Sequence, residues 1–259
     1  MPKFSANVTM LFKEVDFLDR FERAARAGFK AVEFLFPYEW DKEQLKSRLK
    51  ANGLEVVLHN LPAGQWSAGE RGLACLPDRV SEFREGVGRA IEYASALGCP
   101  RLNCLAGIPP VALSGEEKWK TLVSNVRYAA GEAQKAGIVL MVEALNSQDM
   151  PGFCLNRTSQ VLDLIEAVDH SNLYIQYDIY HMQIMEGNLI HTIGRNLERI
   201  AHMQLADVPG RHEPGTGEIN FDNLFRAIDE MGYKGWIGCE YNPAGPTEAG
   251  LGWIKKYLQ

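Results

Sequence analysis

Along the chain, short apolar runs alternate with longer amphipathic segments eight times. Apolar runs occupy residues 4–11, 31–36, 54–58, 101–105, 138–145, 173–179, 200–206 and 236–241, and each predicts a strand. The segments between them carry helical spacing, and several stop at a glycine: Gly28, Gly53, Gly98, Gly137 and Gly232. Pro37 closes the second strand. Asp78 is placed to cap the helix that ends at Gly98, and Ser114 to open the next. The connection 61–77, with three glycines and Trp66, has no helical pattern; it reads either as a lid over a site or as a passive excursion.

A strand, a helix and a further strand imply parallel pairing with right-handed crossovers. Eight such units in 259 residues predict one (β/α)8 barrel domain of the TIM type, spanning residues 1–259. The competing architecture is an open doubly wound sheet. Against it stand the count of eight and the lack of a glycine-rich GxGxxG turn after the first strand.

Parallel strands covered on both sides should be nearly all apolar. The last four break that rule near their C-terminal ends, with Glu143, Asp178, Gln204 and Glu240. That end of a barrel is where chemistry is carried out. Each residue alone reads equally well as a rim side chain tied to backbone or to an arginine. Four on consecutive strands read together as a cation site, because crowded carboxylates repel one another and a divalent ion removes that cost. An all-oxygen set suits Mg2+ or Mn2+ better than Zn2+.

Other side chains fall near this mouth. His181 follows Asp178 by three residues and is placed to bond a substrate oxygen. His59, ending the third strand, is a weaker substrate-binding candidate, and His202 shares the face of Gln204 one layer deeper, where packing is expected. His170 and His191 fall on helices or their ends. Arg211 sits in a loop of prolines and glycines after the seventh strand, where it would clamp a carboxylate or simply face water.

Composition narrows the classes. The net charge of −6, without long basic runs, excludes a nucleic-acid grip built on phosphate contacts. The sequence shows no stretch of ~18 apolar residues, so no membrane span is expected. Five scattered cysteines without a CxxC pair predict reduced, buried thiols in a cytoplasmic protein. A homo-oligomer stays open.

The segments Val142-Glu143-Ala144-Leu145-Asn146, Asp178-Ile179-Tyr180-His181, Gly238-Cys239-Glu240-Tyr241 and the long run from His202 to Arg211 resemble the hydroxypyruvate isomerase family. That family lies within the xylose-isomerase-like barrels, beside the 2-oxotetronate isomerases and ketose 3-epimerases. The resemblance covers the whole chain. It implies a divalent metal held by Glu143, Asp178, Gln204 and Glu240, with Glu143 and Glu240 also the acid–base pair and His181 and Arg211 on the substrate. The implied reaction is an aldose–ketose type isomerisation of a small hydroxy-keto acid through an enediolate. The alternatives are a ketose 3-epimerase acting on a neutral sugar, a nuclease-like hydrolase, and a non-catalytic metal-binding barrel. Gln204 stands where the epimerases commonly carry histidine.

Overall fold

The structure is a computed structural model that describes residues 1–258. Its strands are β1 (Lys3–Asn7), β2 (Ala31–Glu33), β3 (Glu55–Asn60), β4 (Arg101–Cys104), β5 (Val139–Glu143), β6 (Leu173–Asp178), β7 (Ile200–Leu205) and β8 (Trp236–Cys239). All neighbours pair in parallel, and β8 pairs with β1, so the sheet is a closed barrel in sequence order. Closure excludes the open sheet. The outer layer is built from α1 (Arg20–Arg26), α2 (Lys42–Asn52), α3 (Val80–Leu97), α4 (Gly115–Lys135), α5 (Thr158–Val168), α6 (Ile179–Met185), α7 (Leu189–Asn196), α8 (Phe221–Glu230) and a short α9 (Thr247–Gly250).

The expected signals fix several helix ends. Asp41 accepts from the N–H groups of Glu43 and Gln44 at the start of α2, and Gly53 ends that helix in the left-handed region at φ +62°. Ser114 caps α4 as expected, through Glu117 N–H at 3.1 Å. Other expectations need correcting. Asp78 makes no cap; it lies in a single 3-10 turn, and α3 begins only at Val80. The first strand stops at Asn7 because the chain folds back, with Leu11 N–H returning to the Asn7 carbonyl. The second strand is three residues long instead of six. Helix α6 was not anticipated, and it starts directly from Asp178 with no loop.

Most apolar side chains fill the layer between sheet and helices, in one continuous cluster. Inside the barrel the apolar content is a small floor, in which Ala31, Leu58 and Met141 meet. Above it the interior turns polar. Ser5, Asn7, Glu33, Asn103, Gln176, His202 and Gln204 are all buried there. A barrel of this type is ordinarily filled by branched aliphatic layers, so buried polar layers mark where function displaces packing.

Gly238 shows how tightly this layer is built. A Cβ there would lie 2.2 Å from Glu33 Oε1 and 2.3 Å from Oε2, so the β8 backbone leaves its side-chain space to the Glu33 carboxylate. Gly238→Ala is expected to destabilise the fold by about 1–3 kcal/mol through overpacking. A urea midpoint equal to wild type would contradict that placement of Glu33.

Candidate active site

Neutral amides from the strand ends hold the two glutamates that face the barrel mouth. Glu143 Oε2 accepts from Asn103 Nδ2 at 2.9 Å and from Gln176 Nε2 at 2.9 Å. On the far wall, Glu240 Oε2 accepts from Asn7 Nδ2 at 3.1 Å and from Gln204 Nε2. Glu240 has in addition the Arg211 guanidinium, with Nη2 at 2.7 Å from Oε1. So each glutamate is oriented by two amide donors, but only Glu240 touches a cation.

Asp178 stands between them, three residues past the apolar middle of β6. Its Oδ1 accepts from Tyr180 N–H at 2.8 Å and caps α6, which fixes the side chain. Its Oδ2 is buried and has no hydrogen-bond partner. His181 Nε2 at 3.5 Å and Arg211 Nη2 at 3.7 Å stand near it without bonding it. Leaving a carboxylate oxygen buried and bare costs on the order of 1–3 kcal/mol or more.

Burial dominates the titration of this group. It pushes Glu143 well above the ordinary carboxylate range, with Asp178 and Glu240 adding repulsion. It lifts Asp178 to about 6 and Glu240 to about 8, although Arg211 opposes both shifts. Three carboxyls raised together are a site short of positive charge.

Glu143, Asp178 and His181 offer ligand atoms that all lie within 4.8 Å of one another, so this buried group has the spacing to hold a metal ion. The tautomer of His181 decides its part. Its Nδ1 accepts from the backbone N–H of Asn146 at 3.2 Å, and a backbone amide can only donate. The ring is kept neutral chiefly by burial, with Arg211 adding to the effect. A neutral imidazole that accepts at Nδ1 carries its proton on Nε2. His181 therefore faces the mouth as a donor, which suits a substrate oxygen better than a cation.

Gln204 is likewise fixed by its neighbours. Its Nε2 donates to Glu33 Oε1 at 2.7 Å and to Glu240, and its oxygen accepts from Gln176 at 2.6 Å. In this arrangement it ties carboxylates together as a donor. Below it, Glu33 collects Ser5 Oγ at 2.9 Å, Asn7 Nδ2 at 3.2 Å and His202 Nε2 at 2.8 Å. Burial works against ionising Glu33, yet His202 and these donors hold it below the ordinary carboxylate range. His202 is packed one layer down, as its spacing predicts.

Arg211 is delivered by a loop that Asp207 organises. The buried Asp207 carboxylate accepts from the N–H groups of Val208, Gly215, Gly217 and Ile219. Gly217 passes so close that a Cβ would sit 2.1 Å from the Val208 carbonyl. Arg211 itself holds φ +57°, a conformation an L-residue adopts at a cost of about 1–2 kcal/mol. Its guanidinium lies over Tyr180 at 5.0 Å, and its Nε is buried without a partner. A cavity of about 700 Å³ opens here, lined among others by Gln148, Asp149, Tyr180, Arg211 and Asn242. Asp207→Ala is expected to free the loop and lower kcat/KM by up to ~10²-fold, mainly through KM, as misplacing a positioning group does. An unchanged KM would show that the loop needs no such anchor.

The structure thus brings together Glu143, Asp178, His181, Gln204, Arg211 and Glu240. It does not bring in His59. The Asn60 side chain points into the barrel and bonds Asn103, so His59, its neighbour, faces the helix layer. There it stacks on Phe34 and lies 3.4 Å from Tyr38 Oη, and burial drops it to about 4. The sequence reading missed Glu33, Asn7, Asn103, Gln176 and Asp207. The usable signal was the alternation that puts Asn7, Glu33 and Asn103 on the inward face of their strands.

The fold and this mouth define a class, and the chain belongs to the xylose isomerase-like TIM barrel family, which matches residues 21–257. Among curated proteins it is 56% identical to hydroxypyruvate isomerase of Escherichia coli K12, over 99% of this chain and all of that one. It is 47% identical to 2-oxo-tetronate isomerase of Cupriavidus necator, over 100% of this chain and 99% of the relative. Both relatives are isomerases by name. A solved structure from Brucella melitensis, described as AP endonuclease, family 2, superposes with a TM-score of 0.97 at 44% identity and covers 99% of both chains.

Proposed function

We propose that this chain isomerises a small hydroxy-keto acid, interconverting hydroxypyruvate with tartronate semialdehyde or 2-oxotetronate with 3-oxotetronate. The observation that carries the reading is the pair Glu143 and Glu240. They face each other across β6 and β7, each oriented by amides, and burial raises both carboxyls above the ordinary carboxylate range, Glu240 to about 8. The names of the two full-length relatives support the same substrate class.

The residues divide the work. One glutamate removes the proton from the hydroxyl-bearing carbon and the same or the other returns it to the adjacent carbonyl carbon, while the hydroxyl proton passes between the two oxygens. His181 Nε2–H bonds a substrate oxygen. Arg211 has its Nε–H free for the substrate carboxylate while Nη2 stays on Glu240. A guanidinium N–H offered to a carboxylate favours an acid over a neutral ketose. A nuclease reading is disfavoured, because the net charge is −6 and His181 is the one histidine at the mouth cluster.

The bare Asp178 Oδ2 and the three raised carboxyls fit a divalent cation, Mg2+ or Mn2+, held by Glu143, Asp178 and Glu240; Gln204 joins as a neutral fourth member only with its amide turned, so that the oxygen now on Gln176 faces the ion. Bound there, the cation polarises the substrate carbonyl and offsets the negative charge that develops on its oxygens. Chelation is expected to abolish turnover and Mn2+ to restore it. At a hundredfold excess over its Kd the ion adds about 2.7 kcal/mol of stability, visible as a higher Tm. A Tm indifferent to chelator and Mn2+ would remove the cation from the reading.

The five free thiols fit a cytoplasmic setting. The substrate is tested by proton NMR in D2O, with hydroxypyruvate, 2-oxotetronate and free ketoses as parallel substrates. Deuterium entering a keto acid, but no ketose, is expected. Exchange into ketoses alone would favour an epimerase.

A further inference from the structure

Two cysteines come together behind the mouth, where the connection 61–77 and the loop between β5 and α5 pack on a shared strip of backbone. Cys75 N–H bonds the carbonyl of Ala106 at 2.9 Å, and Cys154 N–H bonds the carbonyl of the next residue, Gly107, at 2.9 Å. Gly107 lets the two approach. A Cβ there would sit 3.1 Å from Cys75 Sγ and 2.5 Å from the Gly72 carbonyl, and its φ of +106° favours glycine in any case. Cys75 Sγ and the Cys154 backbone N–H thus rest on the same residue, Gly107.

We propose that Cys75 and Cys154 form a peroxide-reactive dithiol that closes to a reversible disulfide between these two loops. Their unequal exposure assigns the roles. Cys154 is half-buried, whereas Cys75 is fully buried. The neighbouring Cys75 lowers the Cys154 thiol from its ordinary value, with Lys118 adding a positive charge nearby. Burial instead pushes Cys99 and Cys104 up to about 12 and raises Cys239 well above the ordinary thiol value, which keeps those three as inert thiols.

In the first step the Cys154 thiolate attacks one oxygen of hydrogen peroxide. The O–O bond breaks, and hydroxide leaves and takes a proton to become water; Cys154 becomes a sulfenic acid. In the second, Cys75 sulfur attacks that sulfur and the S–O bond breaks. The departing hydroxide takes the Cys75 proton as a second water. Two thiols are oxidised by two electrons in all, and one peroxide is reduced to two waters. The bond would brace the loop that holds Asn146, the residue that fixes His181.

The test needs no assumption about the reaction at the mouth. The full-length protein is treated with one equivalent of hydrogen peroxide, quenched, denatured and titrated for thiols, and its non-reduced peptides are mapped by mass spectrometry. Three of the five thiols are expected to remain, with a Cys75–Cys154 linked peptide that dithiothreitol releases. In Cys75→Ser, Cys154 is expected to stop at the sulfenic acid and be captured by dimedone. In Cys154→Ser, the four remaining thiols should survive. Retention of all five thiols in wild type, a link between other cysteines, or thiol loss in Cys154→Ser would overturn the proposal.

Discussion

Glu143→Gln is expected to leave the barrel folded and to lower turnover of the keto acid by at least ~10²-fold, the share a positioned acid–base group supplies. The fold survives because Asn103 and Gln176 both donate to Oε2, and a glutamine oxygen in that place accepts the same two bonds. Stability is expected to hold or rise, since one of three mutually repelling buried carboxyls is removed. The checks are kcat with hydroxypyruvate and a urea midpoint on the same preparation. Near-normal kcat with an intact fold would take Glu143 out of the chemistry.

Glu33→Ala carries the largest expected cost in stability, about 3–5 kcal/mol, the range for removing one partner of a buried charged network. The carboxylate is fully buried and accepts from Ser5, Asn7, His202 and Gln204, so its loss strands donors from both β1 and β7. Glu33→Gln fills the same volume and keeps an accepting oxygen, and it is expected to cost less than Glu33→Ala. The two urea midpoints separate a hydrogen-bonding role from mere space filling. Equal losses in both variants would mean that Glu33 acts through its charge alone.

The contrast between Glu143 and Glu33 shows what the sequence could convey. Glu143, Asp178, Gln204 and Glu240 interrupt apolar strands, and an interruption at the same place in four consecutive units is visible without coordinates. The eight-fold rhythm and the glycine stops at Gly53 and Gly98 were visible too, because backbone conformation and periodicity are local. Glu33 breaks a strand in the same way, but β2 is only three residues long and the apolar residues after it, Phe34 to Phe36, already leave the sheet. Its run reads as an ordinary half-exposed strand.

Asn7, Asn103 and Gln176 were hidden for another reason. A neutral amide is unremarkable at a strand end until a partner strand places a carboxylate against it. Side-chain direction at a single residue was equally out of reach. Whether His181 donates or accepts depends on one backbone N–H thirty-five positions away, and the turn of the Gln204 amide depends on Glu33. His59 shows the reverse case. It sits at a strand end near the mouth, yet one step of alternation sends it to the helix layer.

The most direct test of the shared carboxylate site is a crystal of the wild-type protein soaked in Mn2+ and measured for anomalous scattering. The account predicts one strong peak at the barrel mouth, within ~2.0–2.6 Å of oxygens from both Glu143 and Asp178, the range for hard divalent ions. A mouth without a peak at saturating Mn2+, or a peak that neither carboxylate touches, would contradict it.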